Sequence, residues 1–299
     1  MLARFAFECC GAVDAEALVG ASLDLDRCDG EAWRALLESL TQQLEDREKP
    51  RVYPLVDASR RMVGAGFADR FDRVWGKLVE RCRIGAAYDV EALGAAVQCL
   101  SQLSSHSVVH CRHTGSAGAM ELAHALVEGT ASLEVQREAC ARQLKALEDD
   151  AGPQKPKKGS KREAVATSVA ELEASIEATD ALTEAVFEDV FCKRYRDTAP
   201  AVRAAVVSRL GKWIAARPGK FLETRYLKYL AWVLDFPSGA ERAVAATALA
   251  SACVRRRRFA RPRGEATRPE KTGTAPSTTT TRGTRSRTSR CGSCPAWPR

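Results

Sequence analysis

The chain has no uninterrupted apolar run near the roughly 20 residues that a membrane-spanning helix requires, so we expect no membrane span. Its 11 cysteines follow no regular spacing and no secretory signal precedes them, which favours free, mostly buried thiols in a reducing compartment. No Ser/His/Asp set or carboxylate pair stands out, and Gly64-x-Gly66 follows no predicted strand. These missing features argue against a membrane protein, a disulfide scaffold, a dinucleotide-binding protein and an enzyme.

Potential metal ligands occur only in incomplete sets. His106, His110 and His113 are spaced to share one helix face, but zinc sites usually add cysteine or carboxylate ligands at a defined spacing, with second-shell partners. The cap-like Thr114 indicates a turn in this segment instead. The Cys-x-x-Cys pair near the C-terminus lacks a second pair. We therefore predict neither a metal site nor a cofactor.

Positive charge is concentrated in a few segments. Residues 254–299 hold 13 basic and 2 acidic side chains, so the rest of the chain is close to neutral despite the net charge of +8. Residues 155–162 and 255–258 form basic runs that are typical of phosphate contacts, of nuclear import signals, or of solvated loops. Backbone-directed, salt-sensitive contact with nucleic acid is predicted for the first run. The residues concerned are Lys155, Lys157, Lys158, Lys161 and Arg162.

Apolar residues recur every three or four positions through the first half of the chain, which predicts a series of amphipathic helices. Asp89 is expected to cap one of them and Thr114 another. The predicted buried stripes are Trp33, Leu36, Leu37, Leu40 and Leu44; Phe67, Phe71, Val74, Leu78 and Cys82; Leu93, Val97, Leu100 and Leu103; and Met120, Ala123, Leu126 and Val127.

A pair of long, charged helices is predicted over residues 134–149 and 162–178, joined by a Pro/Gly/Lys-rich turn that we expect to be mobile. Two such helices would protrude from the body of the protein. Residues at near-heptad spacing indicate the face on which the second helix packs. These residues are Leu172, Ile176, Thr179, Thr183, Val186 and Val190.

The stretch from residue 191 to residue 236 is rich in aromatic and basic residues and predicts helices separated by short turns. Pro200 suits a first helical turn, and Pro218-Gly219 and Pro237 suit helix ends. A third helix is expected to begin near Glu241. The predicted buried stripes are Val202, Val206, Leu210 and Trp213, and then Leu222, Tyr226, Tyr229, Leu230 and Val233.

Trp232 lies beside the second of these stripes, on the same flank as Arg225 and Lys228. One interpretation is that its indole widens the buried face of the helix, as aromatics at helical spacing commonly do. The other is that the indole forms the wall of a pocket with a basic rim.

Several blocks of this sequence resemble the stromal-antigen (stromalin) subunit of cohesin. The runs CKRYRD, GKW and FLETRYLKYLAW resemble its stromalin-conservative region, and YPLV and CRHTGSAGAMELAHALV resemble the preceding domain. The resemblance covers roughly residues 1–253 and implies an all-α fold, a HEAT-like helical-repeat solenoid. The implied parts are N-terminal helices (1–49), a helical domain (50–150), a basic linker (151–163), a long helix with the stromalin-conservative domain (164–253) and a disordered basic tail (254–299).

The resemblance also implies a function. A protein of this family is a non-enzymatic, nuclear, chromatin-associated scaffold that binds the kleisin subunit and supports sister-chromatid cohesion and chromosome segregation in the cell cycle. Its partners would be kleisin, shugoshin-like regulators with aromatic peptide motifs, and DNA. Thr224 departs from the pattern, because an acidic residue is expected there. On matching positions, the peptide-binding residues are Tyr195, Arg196, Leu227, Lys228 and Trp232.

Both ends of the chain depart from that pattern. The opening resembles the middle of a family helix, which predicts that the chain starts inside a larger protein. After Val254 the family continues with helical repeats, whereas this chain turns to Thr/Ser/Arg/Pro repetition that predicts disorder. We expect a truncated or mis-spliced gene model there, with a lineage-specific tail as the alternative.

Two other functions fit a helical chain of this composition. One is a transport adaptor of the armadillo or HEAT type, which would carry a continuous concave groove for lysine-rich cargo peptides. The other is a nucleic-acid-binding protein in which the helices only position the basic tail.

Overall fold

The computed structural model describes residues 1–12, 15–19, 30–45, 53, 55, 66–151 and 160–260. These residues are almost entirely α-helical, as expected. The helices are α1 (Leu2–Cys9), α2 (Ala15–Val19), α3 (Gly30–Glu45), α4 (Phe67–Arg81), α5 (Val90–Ser104), α6 (Val109–Ala151), α7 (Lys161–Val186), α8 (Cys192–Arg194), α9 (Pro200–Ala216), α10 (Pro218–Phe221), α11 (Thr224–Val233) and α12 (Gly239–Ala260).

One small element was not anticipated from the pattern. Two antiparallel two-residue strands, β1 (Arg83–Ile84) and β2 (Ala87–Tyr88), form a hairpin between α4 and α5. Gly85 occupies the left-handed region in its turn, with φ of 66°, a conformation that costs glycine little. The hairpin is too short to change the helical class of the fold.

Helices α5 and α6 form the centre of the main core. Asp89 caps α5 as predicted, and its carboxylate accepts a hydrogen bond of 3.0 Å from the amide of Ala92. All eight residues of the two predicted stripes on α5 and α6 are buried. The prediction that Thr114 caps a helix was wrong, because α6 begins at Val109. Thr114 lies inside that helix, and its hydroxyl donates to the carbonyl of Cys9 on α1 at 3.3 Å.

The buried stripe on α4 is rotated by one position from the predicted one. Trp75 and Val79 are buried with Phe71, whereas Val74 is 38% exposed. Edge-to-face packing of Trp75 on Phe71, with ring centroids 5.6 Å apart, explains the rotation, because the larger ring occupies the core. The stripe predicted on α3 is correct, with Leu37 only partly buried.

Helices α6 and α7 run antiparallel over most of their length. Near the body, the hydroxyl of Thr130 donates to that of Thr179 at 2.8 Å, and near the other end Arg162 pairs with Glu148 at 3.3 Å. After Leu133 on α6 and before Leu172 on α7, no side chain that the structure describes is buried. This exposure is what a pair extending away from the core should show. The predicted mobile turn, residues 152–159, lies outside the described residues.

The helical path continues from α7 without a break. A π-helical turn, Phe187–Phe191, joins α7 to α8, and α9 then begins with Pro200 in its first turn as predicted. Along α9 the four predicted stripe residues are buried. Helix α12 runs to Ala260, so the boundary predicted for the tail at Val254 falls within a helix. The rest of the predicted tail lies outside the described residues.

The described helices bury two apolar clusters. The larger cluster contains residues of the four helices from α4 through α7 and of the four helices from α9 through α12. In the smaller cluster, α1 and α3 pack against α5 and α6. None of the helices in the described ranges combines the length and apolar character needed to cross a membrane.

Candidate peptide-binding site

Helix α11 presents Trp232 at the surface because its buried face is filled by other residues. Tyr226, Leu230 and Val233 are at most 2% exposed, whereas Trp232 is 48% exposed. The indole therefore widens the buried face with only about half of its surface, and the other half faces solvent. An aromatic ring held half in solvent on a rigid helix provides a large contact area at low entropic cost.

The opposing aromatic residue comes from the end of α8. Phe187, Phe191 and Tyr195 follow one another at intervals of four residues on one ridge of the helical path. Their rings are stacked, with centroids 5.2 Å apart for the first pair and 6.0 Å for the second. The two phenylalanines are fully buried and Tyr195 is 8% exposed, so the ridge leads from the core to the surface.

Tyr195, Tyr229 and Trp232 meet where α8 and α11 approach each other, and we call these three residues the aromatic cluster. The ring centroids of Tyr195 and Trp232 lie 6.2 Å apart. Tyr229 packs edge-on against both, at 5.0 Å from Tyr195 and 5.2 Å from Trp232. The sequence pattern predicts Tyr229 only as part of the buried stripe. Its position three residues before Trp232 was the signal that could have placed it in the site.

Two cations border the aromatic cluster. The ammonium nitrogen of Lys228 lies 5.0 Å from the ring centroid of Tyr229 and 5.6 Å from that of Trp232. The guanidinium carbon of Arg196 lies 5.7 Å from the ring centroid of Tyr195. All three distances are within the range of cation–π attraction. Leu227 is partly buried against the larger apolar cluster, so it packs on the core side of α11.

Arg225, predicted on the same flank as Trp232, is engaged by acidic side chains of the neighbouring helix. Its guanidinium pairs with Glu184 and, at 2.8 Å, with Glu188, both on the helical path of α7. Thr224 is the first residue of α11 and is exposed. The structure thus leaves Lys228 and Arg196 as the charged residues beside the aromatic cluster.

Tyr229 is held as a neutral phenol. Its hydroxyl lies 3.2 Å from the sulfur of Cys192, within hydrogen-bond distance, and the phenol can donate to that sulfur only while it keeps its proton. This contact, together with partial burial, raises the pKa of Tyr229 to about 12. The ring therefore carries no negative charge near neutral pH that would repel an acidic partner.

The turn that carries Arg196 is anchored by Asp197. Its carboxylate accepts hydrogen bonds from Arg112 at 2.9 Å, from Arg194 at 3.1 Å and from the amide of Ala199 at 2.9 Å. Burial disfavours the carboxylate, but these donors outweigh it and hold the pKa of Asp197 below its usual value. The turn is thereby fixed between α8 and α9.

The three histidines considered as metal ligands have separate partners. The imidazole of His106 is 3.0 Å from the hydroxyl of Thr41, and that of His113 is 2.6 Å from the hydroxyl of Tyr53. The ring of His110 stacks on that of Tyr53, with centroids 4.2 Å apart. In the part of the chain that the structure describes, no three His, Cys, Asp or Glu side chains are placed to hold a metal ion.

Of the predicted nucleic-acid contacts, Lys161 and Arg162 are described, and Arg162 pairs with Glu148. Lys155, Lys157 and Lys158 lie outside the described residues. Contact with nucleic acid through this segment stays a prediction.

Comparison with known proteins was made at the levels of sequence and fold. Residues 51–168 match the family model of the STAG domain, and residues 196–261 match that of the stromalin conservative domain. The human protein named cohesin subunit SA-3 is 30% identical over 199 residues, covering 67% of this chain and 16% of its own length. The Caenorhabditis elegans protein named cohesin subunit scc-3 is 30% identical over 156 residues, covering 52% of this chain and 14% of its own length.

The fold has a solved counterpart. The structure named cohesin subunit Scc3 from Z. rouxii, residues 88–1035, superposes with a TM-score of 0.69 at 18% identity, covering 86% of this chain and 29% of that chain. The predicted HEAT-like helical-repeat fold is thereby confirmed. The chain spans only a small part of the length of these relatives.

Proposed function

Because this chain belongs to the stromalin family of cohesin subunits, we propose that it is part of a non-enzymatic cohesin scaffold that binds partner proteins through the aromatic cluster. The partners proposed for the aromatic cluster are shugoshin-like regulators whose peptides carry an aromatic residue, and the kleisin subunit is proposed as a partner of the scaffold as a whole. Chromatin association, a nuclear location and support of sister-chromatid cohesion belong to the same proposal.

One observation supports the peptide-binding role most directly. Trp232 is half exposed although it packs against Tyr195 and Tyr229 and lies under Lys228. A partner's aromatic ring would bury the open face of the indole, and an acidic residue beside that ring would be attracted to Lys228 and Arg196. Buried aromatic residues of this kind commonly contribute about 2 kcal/mol or more to binding.

Replacing Trp232 with alanine tests this role. We expect the affinity for a phenylalanine-containing regulator peptide to fall by about 30-fold or more, which corresponds to roughly 2 kcal/mol. The measurement is fluorescence anisotropy of the labelled peptide, with circular dichroism as the check on folding. Because Trp232 is half exposed, its removal should leave helical content unchanged.

The matched control is Leu234→Ala. Leu234 is the residue directly after α11 and is 38% exposed, and it is not one of the residues of the aromatic cluster. Its truncation should leave peptide affinity within about twofold of the unchanged protein. Equal affinity of the Trp232→Ala variant and the unchanged protein would remove the peptide-binding assignment.

Retention of kleisin tests the scaffold role separately. Residues 1–260 are immobilised and incubated with the purified kleisin subunit of cohesin. Retention that survives a wash at high salt supports the proposal, because apolar contacts are screened little by ions. Absence of retention alongside normal peptide binding would confine the proposed function to regulator peptides.

A further inference from the structure

A row of positive charge runs along the solvent face of α4. Arg70, Arg73, Lys77 and Arg81 follow one another at intervals of three or four residues, and all four are exposed. At about 100° per residue the four side chains lie within an arc of about 80°, and at a rise of about 1.5 Å per residue they extend over about 16 Å. We call these four residues the basic stripe.

The acidic residues of α4 do not balance the basic stripe. The carboxylate of Asp72 is already engaged, because it pairs with Arg209 of α9 at 2.5 Å. Asp69 and Glu80 are the other two acidic residues of this helix. Two carboxylates therefore stand against four cations, and the face of α4 that carries the stripe has an excess of positive charge.

The contacts that the basic stripe makes within α4 are weak ones. Lys77 pairs with Glu80 at 2.5 Å, but the two side chains are 70% and 64% exposed. The Nε of Arg73 donates to the carbonyl of Asp69 in its own helix at 3.2 Å. Exposed pairs contribute little to stability. Carboxylates of a partner can therefore replace them without loss of the fold.

Exposed apolar side chains accompany the basic stripe. Val74 is 38% exposed and lies four residues after Arg70 and three before Lys77, so it is a neighbour of both on the helix surface. Ile84, on β1 just beyond the end of α4, is 71% exposed. A sugar–phosphate backbone supplies negative charge but no apolar side chain that would cover such residues. An amphipathic helix supplies both, with acidic residues every three or four positions and apolar residues in the adjacent row.

We propose that the basic stripe is the docking site of an acidic amphipathic helix from a partner protein. The partner's helix runs along α4, with its carboxylates opposite the four cations and an apolar side chain on Val74. Complementary charge accelerates the encounter and selects the partner, and burial of the apolar side chains holds the complex together. The site lies on α4, whereas the aromatic cluster lies on α8 and α11, so this inference does not depend on the proposed function.

The probe is a labelled synthetic peptide of about 18 residues, long enough to form a helix. It carries glutamate at every third or fourth position, leucine in the neighbouring row and alanine elsewhere. A second peptide has glutamine in place of each leucine. Fluorescence anisotropy with the full chain should show about tenfold tighter binding of the leucine peptide, and weaker binding of both peptides as salt is added.

Reversing two charges in the middle of the basic stripe tests the electrostatic part. The double variant Arg73→Glu, Lys77→Glu should lose about tenfold or more in affinity for the leucine peptide. The matched control is Arg142→Glu, Lys145→Glu, which changes the net charge equally at two exposed positions of α6. The control should stay within about twofold of the unchanged protein. All four side chains are exposed, and circular dichroism checks that both variants fold.

Truncating Val74 tests the apolar part. The Val74→Ala variant should bind the leucine peptide about fivefold more weakly and the glutamine peptide as the unchanged protein does. The matched control is Val135→Ala, since Val135 is 67% exposed on α6. Its truncation should leave the affinity for both peptides unchanged.

Other outcomes overturn the inference. Equal losses in the two charge-reversed variants would mean that only net charge matters, and equal affinity for the two peptides would mean that no apolar contact forms. A DNA duplex of about 20 base pairs that binds more tightly than the leucine peptide, and loses that binding when the stripe is reversed, would assign the stripe to nucleic acid. Self-association of the chain that is lost in the same variant would assign it to a second copy. The Trp232→Ala variant should bind the leucine peptide normally, which separates failure here from failure of the proposed function.

Discussion

His113 is a partly buried residue whose neutral form the fold requires. Its Nδ1 lies 2.6 Å from the hydroxyl of Tyr53, and which of the two donates depends on the histidine tautomer. Burial, together with the positive charge of Arg209, lowers the pKa of His113 to about 4. In the folded protein the imidazole is thus uncharged near neutral pH and gains a proton only when the pH falls to about 4.

This lowered pKa predicts a loss of stability in mild acid. Above the unfolded-state pKa of about 6.5, neither the folded nor the unfolded state binds a proton at His113, and no free energy is lost. As the pH falls from about 6.5 to about 4, only the unfolded state is protonated, so the free energy of unfolding drops, by about 2 kcal/mol at pH 5. Urea unfolding at about pH 7 and about pH 5 measures this drop.

The His113→Asn variant supplies the comparison for that measurement. Asparagine does not titrate, so the difference between the two pH values should be about 2 kcal/mol smaller in the variant than in the unchanged protein. An equal drop in both proteins would mean that His113 is not the group responsible.

At the scale of helices, the crossing of α5 and α6 depends on two glycines. A Cβ added at Gly115 would lie 2.4 Å from the amide nitrogen of Ser104 and 2.7 Å from the carbonyl oxygen of Leu100. At Gly118 the nearest atoms would be those of Trp75 and Leu100, at 3.0 Å. At Gly115 the two backbones therefore approach so closely that no side chain fits, whereas the glycine at 118 leaves room for the side chains of Trp75 and Leu100.

Gly115→Ala should be strongly destabilising. The methyl group clashes with backbone atoms that cannot turn away as a side chain could, so we expect a loss of about 3 kcal/mol or more in the free energy of unfolding. Gly76→Ala on α4 is the control, since its methyl meets nothing within 4 Å. That variant should gain up to about 1 kcal/mol from helix propensity. Chemical denaturation measures both, and equal stability of the two variants would contradict the close crossing.

At the scale of the whole molecule, α9 connects the helical layers through its arginines. Arg209 pairs with Asp72 on α4 at 2.5 Å and with Glu121 on α6 at 2.9 Å, and its side chain is only 12% exposed. Arg203, with 15% side-chain exposure, pairs with Glu241 on α12 at 2.8 Å. Ion pairs of this kind fix one arrangement of the layers, because an unpaired buried charge is costly.

Arg209→Met tests the largest of these connections. Removing the guanidinium leaves the largely buried carboxylate of Glu121 with Lys212 as its remaining cation, at 3.2 Å, so we expect a loss of about 2 kcal/mol, below that of a fully unpaired buried charge. The control is Lys77→Met, which breaks the exposed pair of Lys77 with Glu80, where the side chains are 70% and 64% exposed. That loss should stay below about 1 kcal/mol. Similar losses in the two variants would show that burial of the pair is unimportant.

The candidate site was partly predictable from sequence. The resemblance selected Tyr195, Lys228 and Trp232, and the structure brings these three side chains together. It did not select Tyr229, whose spacing of three residues from Trp232 was the one available signal, because the contact of Tyr229 with Tyr195 is made between two helices. Helical spacing placed Arg225 beside Trp232 but could not show that its acidic partners belong to another helix.

Local sequence patterns were sufficient to predict most helices, the Asp89 cap and most of the buried stripes. The reason is that an apolar repeat of three or four residues and a capping side chain both act within one or two helical turns. Packing between helices determined the choice of Trp75 over Val74 in the core, the length of α6 and the meeting of α8 with α11. Those outcomes depend on contacts between residues far apart in the chain. A pattern confined to one helix carries no information about the surface that another helix will present to it.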